Sequence, residues 1–205
     1  MVHPRVAPLA LVLVMALAAS ACGTSGRNFT YTGIPALDLG GMRSADYEAA
    51  FGKPLGVVTK TNADGTFELV RYSYAEAIMG TVNTRLLLLE FRDGSLNAWI
   101  HGSTFADDHT DADRGLVAKI RKGVDGKQDI QALLGKPHGK ARCPSLLADY
   151  KDRCNGSEIW AWSTGGITGP VGRRTMRFGT VYVIFDSSGI VADIETSETV
   201  TNQSR

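Results

Sequence analysis

Cysteine is scarce: Cys22, Cys143 and Cys154 are the only three in 205 residues. No C-x-x-C pair occurs, and no second Cys or His pair lies near Cys143 and Cys154, which speaks against a zinc or redox motif. Histidine is sparse as well, and none of His101, His109 and His138 stands in an H-E-x-x-H or comparable spacing. The phosphate-cradling Gly-Lys-Ser/Thr is missing. "GGITGPVG" (165–172) follows a strand pattern instead of opening a helix, so it reads as a hairpin loop, with "RRTMR" starting the next strand. "ADDHTDAD" (106–113) clusters oxygen ligands but lacks the D-x-D-x-D-G register of a calcium loop; it reads as a solvated linker that also caps the following helix. An excess of one charge is missing too. Lys and Arg total 22 against 21 Asp and Glu, a balance that gives no reason to expect nucleic acid as a partner. No nucleophile–base arrangement stands out. The expectation is a non-enzymatic chain without catalytic residues, cofactor or metal.

After residue 21 there is no long apolar run; before it there is one. "MVHPR" is a short basic start, followed by the 16-residue apolar stretch "VAPLALVLVMALAASA", too short for a comfortable spanning helix and ending in small residues. Residues 1–21 therefore read as a secretory signal. "LAASAC" resembles a bacterial lipobox, and that resemblance implies an acylated Cys22 as the first mature residue. Several acyl chains, at about 0.8 kcal/mol per buried CH₂, anchor a protein stably without a spanning helix. Gly23 after the cysteine favours the outer membrane and the short "GTSGRNFT" tether a periplasm-facing position, with a Gram-positive surface lipoprotein as the alternative. Removing Cys22 for lipid leaves Cys143 and Cys154 as an even pair in an oxidising compartment, and a disulfide between them is expected, adding about 2–3 kcal/mol.

The main organising feature is a repeat. "LDLGGMRSADYEAAFGKP" (37–54) falls on "IRKGVDGKQDIQALLGKP" (120–137) at a constant offset of 83, with six of eighteen positions identical. Each copy ends in Gly-Lys-Pro, a helix stop: glycine takes the left-handed C′ position and proline forbids continuation. Ser44 is a candidate N-cap of the first helix. In the second copy a longer amphipathic helix, opened by Asp111 or Asp113 and burying Leu116, Val117 and Ile120, is expected to precede. After each stop the period turns strand-like. "FELVRYSY" (67–74) and "EIWAWS" (158–163) alternate, and two hairpins turn at Asp93-Gly94 and at a Ser-Gly pair within 179–195. The expected fold is α+β: two tandem helix–helix–three-strand units with antiparallel sheets. The units span 35–104 and 105–198, with a tether at 22–34 and a tail at 199–205.

The Gly-turn, short helix, Gly-Lys-Pro and following W-x-W or Y-x-Y strand resemble the SmpA/OmlA family of small outer-membrane lipoproteins. The tandem arrangement is similar to that of β-lactamase inhibitory protein. The first resemblance implies a protein-binding or scaffold module, in outer-membrane protein assembly or envelope maintenance. The second implies, as the alternative, an inhibitor or sensor of a secreted or periplasmic enzyme. Tyr72 and Tyr74 share strand parity, as do Trp160 and Trp162. Each pair either packs beneath the helices or, on an open face, anchors a protein partner. Lys53 and Lys136 are expected at exposed helix ends, with a paired binding site as the rival reading.

Overall fold

The computed structural model describes residues 23–29, 34, 37–78, 81–108, 113–168 and 173–204. Residues 1–22, the expected signal and Cys22 among them, and His109 and Asp111 lie outside these. Among the described residues nine antiparallel strands form one continuous sheet: β1 (Gly23–Gly26), β2 (Gly56–Asn62), β3 (Gly65–Ile78), β4 (Thr81–Arg92), β5 (Ser95–Ser103), β6 (Gly139–Arg142), β7 (Glu158–Thr168), β8 (Arg173–Phe185) and β9 (Val191–Ser204). Their order is β1-β3-β4-β5-β6-β7-β8-β9, and β2 shares the outer edge of β3 with β1. The α-helices among the described residues are short: α1 (Tyr47–Phe51), α2 (Arg114–Val117), α3 (Lys127–Leu134) and α4 (Ala148–Lys151).

This overturns the expected pair of helix–helix–three-strand units. The molecule is mostly sheet, and a further strand follows each Gly-Lys-Pro: β2 after the first and β6 after the second. The long helix expected before residue 120 is a single turn. Asp113 does cap it, accepting from Gly115 N at 2.8 Å. Beyond Val117, however, the backbone bonds three residues back, Lys119 N to Leu116 O and Ile120 N to Val117 O, so the α-helical ladder stops. No side-chain cap opens α1, so Ser44 does not have the expected role. Gly23 follows Cys22 directly and already pairs with Ala77, Phe29 and Ile34 are buried, and β9 stays paired to Ser204, opposite Arg173.

Strand alternation sorts the side chains onto two faces. Val70, Tyr72 and Tyr74 of β3 and Leu87, Leu89 and Phe91 of β4 pack under α1, against Tyr47 and Phe51. Trp160, Trp162, Val181, Val183 and Phe185 pack under α3, against Ile130 and Leu134. On the reverse face the centre of the sheet carries small residues, Ala98, Ala141 and Ala161, and Leu147 and Tyr150 fill the space above them. Gly139 belongs to this fit, because a Cβ there would stand 2.0 Å from Tyr150 Oη.

The repeated phrases make repeated hydrogen bonds. Gly40 N donates to Leu96 O at 2.7 Å and Gly123 N to Val191 O at 2.8 Å. Arg43 bridges to Ser95 and Gly126 to Ile190. Both pairs keep the offset of 83 on the helical side.

Candidate interaction surfaces

Tyr72, Tyr74, Trp160 and Trp162 are buried, with at most 7% of any residue exposed. They lie on the helix-covered face and do not form an open aromatic platform. Their parity was legible; the covered face was not. Two of them lock the helix stops. Tyr72 Oη donates to Gly52 O at 2.9 Å, and Trp162 Nε1 to Gly135 O at 3.2 Å. Trp160 donates to Glu158 Oε1 at 2.6 Å and carries Lys140 Nζ over its ring at 4.8 Å. Lys53 and Lys136 are exposed just past the two stops.

Cys143 and Cys154 are joined, with Cα atoms 5.3 Å apart. The loop they close is pinned to the reverse face by Glu90, which is fully buried. Its Oε2 accepts from Leu146 N (2.6 Å), Leu147 N (3.0 Å) and Ser145 Oγ (3.1 Å), and its Oε1 from Asn97 Nδ2 (2.7 Å). A buried carboxylate is tolerated when its lone pairs are satisfied in this way. Sequence reading missed Glu90, whose four donors come from residues 7 to 57 positions away.

A second buried polar cluster ties β4 to the segment after β5. Arg85 grips Asp108 through two nitrogens, Nε at 2.5 Å and Nη2 at 3.1 Å, and Ser103 Oγ donates to the same carboxylate at 2.6 Å. Burial alone would raise the Asp108 carboxyl, but the hydrogen bonds from Arg85 and Ser103 outweigh it and hold it below the usual range. His101 lies beside them, and burial pushes its imidazole down to about 4, so it is neutral at neutral pH. His138 accepts from Ser163 N through Nδ1 at 2.8 Å. Ser103 faces a carboxylate already gripped by arginine, so this arrangement acts as a structural lock and supplies no activated nucleophile.

The solvent-facing features are elsewhere. A shallow hollow on the outer side of α3 is lined by Gln128, Gln131 and Ala132. All of β2 is exposed, with Val57 at 43% and Val58 at 53%, and Leu55 just before it at 64%. Among the described residues β2 has one strand partner, β3, which leaves its outer edge open. A second apolar group, Ile78 (46%) and Val82 (60%), marks the opposite end of β3.

No family model and no curated protein matches this chain, so the SmpA/OmlA resemblance rests on its motifs alone. Among solved structures the chain is similar to the "putative beta-lactamase inhibitor protein" from Streptococcus mutans, with 14% identity and a TM-score of 0.44 over 90% of this chain and 96% of that one. A likeness this distant assigns neither family nor partner.

Proposed function

We propose that the chain is a lipid-anchored, non-enzymatic protein of the bacterial envelope that binds a protein partner by strand addition at β2. The observation that supports this is the contrast between the two outer edges of the sheet. The β9 edge carries Asp193, Glu195 and Glu198, charges of the kind that blunt an edge against pairing. The β2 edge has a single charge, Lys60, beside exposed Val57 and Val58. In strand addition the main-chain ladder supplies affinity and the alternating side chains supply specificity, so an open strand with valines on both faces suits it.

The anchor is Cys22, on the strength of "LAASAC". Gly23 pairs with Ala77 at one end of β3, and Asn62 pairs with Gly65 at the other. Those β3 positions are twelve residues apart, about 40 Å at 3.3 Å per residue. Val57 and Val58 pair with Val70 and Leu69, seven and eight residues from Ala77, so the open edge would begin about 20 Å from the anchored end.

The test is a crosslinking pull-down from intact envelopes with the wild type and the Val57→Asp/Val58→Asp variant, beside palmitate labelling with Cys22→Ser as control. Loss of a specific partner in the variant, without loss of fold, is the expected result. Undiminished capture would refute the role of β2, and equal labelling of Cys22→Ser would refute the anchor. An assembly protein as the partner favours the scaffold role; a soluble hydrolase favours an inhibitor.

A further inference from the structure

Gly23–Gly26 already form a strand of the sheet. Gly23, the residue after Cys22, pairs with Ala77, and Ala77 pairs with Val82 on the next strand. Adjacent strands lie about 4.8 Å apart, so Val82 sits only about 10 Å from Gly23. Val82 is 60% exposed and Ile78 46%, and the run 77–84, "AIMGTVNT", contains no charged residue. Leu86, on the same face of β4 as Val82 by strand alternation, is 37% exposed. Single exposed apolar residues are ordinary on a protein surface. By strand alternation Val82 shares a face with Ala77, and Ile78 lies on the opposite face with Glu76, so the end of the sheet presents an apolar side chain on each side close to the start of β1.

We infer that this corner, formed by the start of β1 with Ile78 and Val82, sits in the interfacial layer of the bilayer, so that the body is seated on the membrane and does not swing on a tether. The inference rests on acylation of Cys22. Once the acyl chains are inserted, the corner is held at the lipid surface at high effective concentration, so even a weak apolar contact is occupied. Seated this way, β3 runs outward and carries β2 to the far side.

The experiment uses the full acylated chain in vesicles of phosphatidylethanolamine and phosphatidylglycerol. An environment-sensitive fluorophore is attached at Val82→Cys or, as the comparison, at Val58→Cys. The disulfide occupies Cys143 and Cys154, so each variant carries one free thiol. Nitroxide-labelled lipid should quench the label at 82 several-fold more than the label at 58. Hydrogen exchange of the unlabelled chain, slowed around 82–86 on vesicles relative to soluble Cys22→Ser, guards against a label that inserts by itself. A mass showing no acyl chains removes the anchor and this inference together. An acylated chain whose label at 82 is quenched no more than that at 58, with unchanged exchange, overturns the seating alone.

Discussion

Gly52 and Gly135 end α1 and α3 with nearly the same backbone, φ 79° and ψ −165° against φ 76° and ψ −164°. That region is not the left-handed helical well; it is a conformation essentially reserved for glycine, and strain there costs about 1–3 kcal/mol. At Gly135 a Cβ would meet nothing within 4 Å, so Gly135→Ala should lose that amount through the backbone alone. At Gly52 the Cβ would also strike the Arg27 guanidinium, so Gly52→Ala should lose more. Lys53→Ala and Lys136→Ala, at exposed positions, should stay within about 0.5 kcal/mol. Chemical unfolding of the four variants checks this, and glycine variants as stable as the wild type would remove the helix-stop account. His101 gives a pH signature. Burial lowers its imidazole from 6.5 to about 4 in the folded protein; Asp108 favours the charged form, and His138 and Arg85 oppose it. Between those values the unfolded chain binds a proton that the folded one does not, so stability falls as pH drops from 6.5 towards 4. The loss is at most about 1.4 kcal/mol per pH unit. Asp108 titrates below this window. His101→Gln should flatten the slope between urea midpoints at pH 7 and pH 5; an unchanged slope would assign it to other groups.

The disulfide loop is an element held from two sides, by Cys143–Cys154 and by Glu90. Opening the disulfide in Cys143→Ser should cost about 2–3 kcal/mol for a loop of this length. Glu90→Gln replaces one acceptor with a donor facing N–H groups, a loss of about 1–3 kcal/mol. Both changes free the same loop, so the double variant should lose less than the sum, measured by a double-mutant cycle; strict additivity would show that the two restraints act independently. This loop also shows what could be read from sequence. The cysteine pairing followed from their number, but the acceptor at Glu90 did not, because three of its donors lie in a loop 55 to 57 residues further along the chain. Hairpins were legible where chemistry is local: Asp93 and Gly94 both have positive φ, as a two-residue turn requires, and Gly189 is positive as well. Helix stops were legible for the same reason. β6 was not, since four residues carry no alternation and their strand state comes from pairing with β5 and β7. Nor was β2, whose consecutive valines break the period. The aromatic pairs reveal the general limit: strand parity tells which residues share a face, and only the packing of α1 and α3 tells which face is covered.

Across the molecule, continuity of the sheet depends on a narrow seam. β5 and β6 meet through three pairs, Ala98 with Ala141, Trp99 with Lys140 and Ile100 with Gly139. Side chains reinforce them: Tyr150 Oη donates to Trp99 O at 3.1 Å, Arg142 Nη2 to Leu39 O at 2.7 Å and Asn97 Nδ2 to Pro144 O at 2.9 Å. The core under α1 and the core under α3 are otherwise distinct clusters. The cluster on the reverse face crosses the seam, drawing Ala98 from β5 and Ala141, Ile159 and Tyr182 from β6, β7 and β8. Shared burial of this kind makes unfolding cooperative, so calorimetry of the wild type should show one transition with equal calorimetric and van't Hoff enthalpies. Gly139 is the weak point to probe. A Cβ there would lie 2.8 Å from Trp99 O, a backbone atom of the neighbouring strand, as well as 2.0 Å from Tyr150 Oη. Gly139→Val should therefore push β5 and β6 apart and expel Tyr150. The expected thermogram then splits, with β1–β5 and β6–β9 melting separately. Two transitions already in the wild type would show that the seam does not couple the strands on either side. One lowered but single transition in Gly139→Val would place the coupling elsewhere, in the side-chain bonds from Arg142 and Asn97.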